Sequence, residues 1–219
     1  MPSIADLGPL TPALVDELLR APRTRHTVSH PCGTILAECS AVFEGQLVQF
    51  VEGLRNIEEL QDGFRVQFGW SHVVLRQNGE TYRVEEPDFN GDPYQGMRPD
   101  VTLTLLIAAW QAMVCRRVGA VGPDVTWEDD LVMAGDALGE DRVFMKREAP
   151  TESTPSLWYL GAVREAKARL QPSMVRGYQV WQRRPCLVTV LCLPPEYLCV
   201  FEGDKLHGIA DPHNQEVWA

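Results

Sequence analysis

The clearest pattern in the chain has a period of two. Phe64, Val66, Phe68 and Trp70 alternate with Arg65, Gln67, Gly69 and Ser71, as in a strand with one covered face. His72–Gln77 and Glu80–Glu85 follow, on either side of Asn78-Gly79, the dipeptide that best supplies the two positive φ angles of a type I′ hairpin. A three-stranded meander is expected there. Elsewhere the period lengthens. Thr11 and Pro12 suit the cap and first position of a helix whose face is Leu14, Val15, Leu18 and Leu19, with Asp16 and Glu17 near its positive end. Leu47, Phe50, Leu54 and Ile57 recur at three and four, predicting a helix over 46–60, which Gly53 weakens by about 1 kcal/mol. Residues 101–118 read as a long apolar central helix, with Asp100 as cap, Arg116 and Arg117 at its negative end, and Gly119 placed to stop it. Its small or polar stripe, Thr104, Ala108, Gln111 and Cys115, reads as a close-packing seam.

The remainder is less periodic. Residues 23–33 are basic and read as irregular, 34–43 are ambiguous between helix and strand, and 86–99 form a loop rich in Pro, Gly and Asp. The second half is β-rich. Strands are expected at 142–147, 157–163, 178–181, 186–193, 197–201 and 206–210, and a short helix at Arg164–Leu170 carries a Glu165–Arg169 pair. Gly119–Asp124, with two Gly and a Pro, suggests a boundary between an N-terminal α+β region, 1–122, and a β-rich domain, 123–219. One continuous domain is the alternative. Either way the fold class is α+β, with mixed antiparallel sheets packed against a few helices.

Composition narrows the partners. A net charge of −10 and a pI near 5.0 disfavour nucleic acid and anionic membrane surfaces, both of which call for clustered Lys and Arg. The longest apolar run, Val101–Cys115, would span roughly 22 Å as a helix, short of the ~30 Å hydrocarbon core. The first residues lack the basic and apolar regions of a secretory signal. Six cysteines occur with no CxxC pair and read as reduced, so a cytoplasmic location is expected.

Catalytic chemistry has few footholds. Cys32 stands near His26 and His30 with Arg23 and Arg25 adjacent, surroundings that would favour a thiolate, so a small thiol hydrolase is one reading. No metal set is complete: His26 and His30 are interrupted by Pro31, while His207 and Asp211-Pro212-His213 have the character of turn residues. Phosphate loops are absent, and no cofactor is expected. The most distinctive segment is acidic. Between Arg117 and Arg142 there is no Lys or Arg, while Asp124, Glu128, Asp129, Asp130, Asp136, Glu140 and Asp141 all fall there. Such charge speeds encounter with a basic partner, and Trp127 and Trp158 are candidate anchors beside it. A non-catalytic scaffold or adaptor would carry the same features.

One run of residues carries a family pattern. Arg147-Glu148, a short polar loop, then Ser156, Trp158 and Gly161 resemble the signature of the DUF2185 or Imm33 group of bacterial immunity proteins. Met145-Lys146, Pro155 and Leu157 depart from that signature. The resemblance implies a non-enzymatic protein that binds and neutralises a cognate secreted toxin in the cytoplasm. The toxin's basic surface would meet the nine residues just named, Asp124 to Asp141 with the two tryptophans.

Overall fold

The computed structural model describes residues 8–152, 157–163 and 171–218, and the helix expected at Arg164–Leu170 lies outside them, as does Ser156. The chain divides into two units: Ala13–Ala109, and residues 110–218 together with 8–12. Each combines a mixed sheet with helices, so the α+β class holds.

In the first unit, β1 (Arg23–His30) and β2 (Gly33–Ser40) form an antiparallel hairpin. The stretch expected to be irregular is therefore a strand. Its inward positions include Thr24, His26 and His30, and only Val28 among them is apolar, so the alternation leaves no hydrophobic trace. Gly33 (φ 147°) sits so close to the Glu80 carbonyl that no Cβ would fit, and Thr34 N–H donates to that same oxygen at 2.8 Å. This contact starts the parallel pairing of β2 with β5 (Thr81–Pro87). The meander is present as β3 (Phe64–Phe68), β4 (Ser71–Asn78) and β5, in sheet order β1-β2-β5-β4-β3, and the two-residue β6 (Met97–Arg98) pairs with the end of β5. Its second turn differs from expectation. Asn78 pairs with Thr81, so Gly79 and Glu80 are the central residues, and only Gly79 has a positive φ, 61°. A Gly at the first central position with one positive φ is the type II′ pattern.

Helix α1 spans Pro12–Arg20 and α2 spans Glu44–Leu54, shorter than the 46–60 expected. Leu47, Phe50, Val51 and Leu54 bury one face of α2, and Ile35, Ala37, Cys39, Val73, Leu75 and Val84 fill the core from the strands. Helix α3 runs Thr102–Val118, its residues to Ala109 in the first unit and those from Trp110 in the second. Two carboxylates finish its first turn. Asp100 accepts from Thr102 N–H at 3.0 Å, and Glu86, wholly buried, accepts from Leu103 N–H at 3.2 Å and Thr104 N–H at 2.7 Å. Arg23 and Arg98 brace Asp100 at 3.5 and 3.2 Å. Further along, Gln111 donates to Val188 O at 2.9 Å. Among the described residues no helix is long and apolar enough to cross a membrane.

The second unit contains β7 (Asp130–Ala134), β8 (Arg142–Arg147), β9 (Trp158–Ala162), β10 (Pro172–Arg176), β11 (Leu198–Glu202) and β12 (Lys205–Ala210). Their order is β10-β7-β9-β8-β11-β12, with β7 and β9 parallel and the other neighbours antiparallel. Two expected strands are helical instead. Residues 178–181 lie within α4 (Gly177–Arg183), and Pro185–Val190 is a 3₁₀ helix. Every residue from Pro185 to Leu191 is buried, so the run has no polar face to reveal its period. Pro185 suits a helical start, and Thr189 Oγ1 donates back to Cys186 O at 2.6 Å.

The outer edge of β12 is covered by the chain's own return. Asp211 accepts from His213 and Gln215 N–H, both at 2.8 Å, turning the backbone. Glu216 then accepts from Ile209 N–H at 3.0 Å, and Val217 N–H donates to Ile209 O at 2.8 Å. Edge groups that would otherwise invite another strand are thereby satisfied.

Candidate functional site

The signature residues are brought together by strand register. Arg147 on β8 pairs with Trp158 on β9, and Glu148 N–H donates to Leu157 O at 2.9 Å. Arg147 is buried, and its guanidinium donates to Leu193 O at 2.8 Å and Pro123 O at 3.1 Å, holding two loops to the end of the sheet. Burial pulls the Arg147 pKa down, opposed by the nearby Asp129 carboxylate. Trp158 is only 2% exposed. Gly161 pairs with Phe144, whose ring lies against the strand in a stack with Tyr159, centroids 5.9 Å apart. A Cβ on Gly161 would stand 2.6 Å from Phe144 Cε1 and 2.7 Å from Cζ. The signature thus builds the sheet.

That geometry makes a prediction. Gly161→Ala should destabilise the protein by about 1–2 kcal/mol through overpacking, and the loss should shrink when Phe144→Leu is added. Urea denaturation of the two single variants and the double variant measures the coupling. Additive effects would mean the ring does not oppose the new methyl.

The acidic residues stand at the two ends of β7. Glu128, Asp129 and Asp130 lie at its start, and Asp136, Glu140 and Asp141 lie in the connection to β8, beyond roughly 13 Å of strand. Asp124 is exposed in the segment preceding β7. Bases distant in sequence meet several of these groups. Arg176 reaches Asp130 at 3.2 Å, Arg183 reaches Asp136 at 2.9 Å, and Arg184 donates to the backbone carbonyls of Glu140 (2.7 Å) and Asp141 (3.1 Å). The charge that looks uncompensated along the chain is therefore partly balanced in space. Asp129 is committed locally, accepting from Thr126 N–H at 2.6 Å and Thr126 Oγ1 at 3.0 Å. Trp127 is 1% exposed and packs edge-to-face on Tyr178 at 6.2 Å. Neither tryptophan presents a ring to solvent; both are core residues.

Cys32 is exposed in the turn between β1 and β2. Its own N–H donates to His30 Nδ1 at 3.1 Å, and His30 Nε2 lies 2.7 Å from Ile57 O. With Nδ1 accepting, Nε2 carries the proton, and neither nitrogen is left to take one from the thiol. Among the described residues no group of His, Cys, Asp and Glu is arranged to hold a metal.

The second unit also contains a cleft of about 790 Å³ that sequence reading missed. Its walls come from Pro9 and Leu10, from the second half of α3, from the 3₁₀ helix, from β11 and β12, and from Trp218. Residues so scattered leave no motif in the sequence. Arg117 lies over the Trp218 ring at 4.3 Å.

The described fold therefore offers a sheet scaffold stiffened by internal signature residues, with acids at both ends of β7. Residues 110–218 match the family model of the Imm33-like domain, and this half of the chain is an Imm33-like domain. No curated protein matches the chain, and no solved structure does.

Proposed function

We propose that this chain is a bacterial immunity protein, which binds a cognate secreted toxin in the cytoplasm and neutralises it by covering a surface. The observation that carries this reading is the Imm33-like match across 110–218. The internal roles of Arg147, Trp158 and Gly161 support it, because they stiffen a platform and leave its surface for contact. Of the residues first considered as contacts, we keep the acids at the ends of β7 and release Trp127 and Trp158 to the core. Asp136, with 69% of its side chain exposed, and Asp141 are the best placed to meet a basic partner.

The test is co-expression with the toxin encoded beside this protein, reading growth rescue and a stable complex. Absence of both removes the reading for that toxin. Asp136→Lys with Asp141→Lys should slow association by about tenfold at low ionic strength, with the difference fading as salt rises. Surface-binding kinetics at two salt concentrations check it. An unchanged association rate places the interface elsewhere.

A further inference from the structure

We propose that the cleft in the second unit is a binding site for a small amphipathic carboxylate: an aromatic or branched apolar body bearing one acid group. This inference rests on the cleft alone and is independent of the toxin-binding reading.

The cavity, about 790 Å³, falls within the roughly 300–1,000 Å³ of small-molecule pockets. Its floor is apolar. Leu10, Val114 and Phe201 line it and are buried, and the indoles of Trp110 and Trp218 add two aromatic surfaces. These groups favour a flat or branched hydrocarbon body.

The polar lining selects a sign of charge. Arg117, Lys205 and His207 face one acid, Asp204. Asp204 is already engaged, 3.8 Å from Arg184 Nε and 3.6 Å from the Cys186 thiol. His207 lies 3.9 Å from Glu202. Arg117 and Lys205 have no carboxylate within salt-bridge distance among the described residues, and Arg117 is instead held over Trp218. In a chain of net charge −10, this cleft is a local concentration of positive charge. An anion entering it meets a guanidinium and an ammonium whose charge no fixed acid has taken.

Apolar walls and two cations with no carboxylate partner among the described residues together describe a site for an apolar acid rather than for an amine or a neutral hydrocarbon.

The experiment uses the full chain with 2-naphthoate and its neutral counterpart 2-naphthamide, by isothermal titration at low salt. We expect 2-naphthoate to bind with a Kd on the order of 100 µM and the amide about tenfold more weakly. Arg117→Gln with Lys205→Gln should weaken the acid by about tenfold and leave the amide unchanged. Both residues are exposed, so the double variant keeps its fold, and unchanged amide binding verifies that. Equal affinity for acid and amide, no binding of the acid at about ten times the expected Kd, or full acid affinity in the double variant would each overturn the proposal.

Discussion

Arg147→Ala should cost about 3–5 kcal/mol of stability. The guanidinium donates to Leu193 O and Pro123 O, and charge-assisted bonds of this kind contribute roughly 1.5–3 kcal/mol each. Truncation deletes both bonds and leaves the carbonyls without their donor inside a packed region. It also opens space beside Trp158, the register partner of Arg147. Lysine at this position reaches one carbonyl at best, so Arg147→Lys should recover only part of the loss. Urea denaturation followed by tryptophan fluorescence measures both variants. A loss below about 1 kcal/mol in Arg147→Ala would show that water takes over these carbonyls and that the residue is no keystone. The exposed Asp136→Lys is the contrast, expected within about 0.5 kcal/mol of the parent.

Stability should also respond to pH in a way set by two buried groups of the first unit. Burial, aided by the Asp100 carboxylate, raises the Glu86 pKa to about 8, against the N–H donors of Thr104 and Leu103, which favour the charged form. Burial, aided by Arg65, lowers the His72 pKa to about 4. A raised carboxyl binds its proton more tightly in the fold. The Glu86 contribution is therefore complete below the unfolded value of 4.5 and is lost as pH climbs through 8. A lowered imidazole acts in reverse. The His72 contribution is complete above 6.5 and is lost as pH falls towards 4. Each slope is about 1.4 kcal/mol per pH unit, so the two nearly cancel between 4.5 and 6.5. Above 6.5 Glu86 acts alone, and stability should fall by about 2 kcal/mol up to pH 8. Denaturation midpoints across this range check the shape. Glu86→Gln should flatten the fall, and His72→Gln should extend it down to 4.5. The same fall in Glu86→Gln would assign it to another group.

Where apolar and polar positions contrasted, or where end signals were strong, the elements were legible. Alternation marks Phe64–Phe68 and Thr81–Pro87, and Asp100, Arg116, Arg117 and Gly119 bracket the helix Thr102–Val118. Legibility failed where that contrast is missing. β1 hides its inner face in Thr and His, and the 3₁₀ helix at Pro185–Val190 is buried all round. β7 went unread because the acids on both sides of Leu131–Ala134 gave it the look of a loop. The two tryptophans were misplaced for another reason. Trp127 and Trp158 were identifiable as important, yet a sequence does not say whether an aromatic ring anchors a partner or a core. The arginines at 176 and 183 lie 34 or more positions beyond Arg142, and only folding sets them against Asp130 and Asp136.

Because Arg147, Trp158 and Gly161 are consumed by the interior, the β7–β8 connection is tethered at few points. Ala137 and Leu138 are its buried pegs, and Arg184 grips its backbone through carbonyl oxygens, which every residue type possesses. The exposed side chains at 136 and 141 can accordingly be exchanged at little cost to the frame, the Asp136–Arg183 pair lying in solvent. If the chain binds a partner as proposed, a scaffold of this design lends itself to retargeting: new specificities would arise by rewriting one short connection between two non-adjacent strands while the supporting sheet stays as it is.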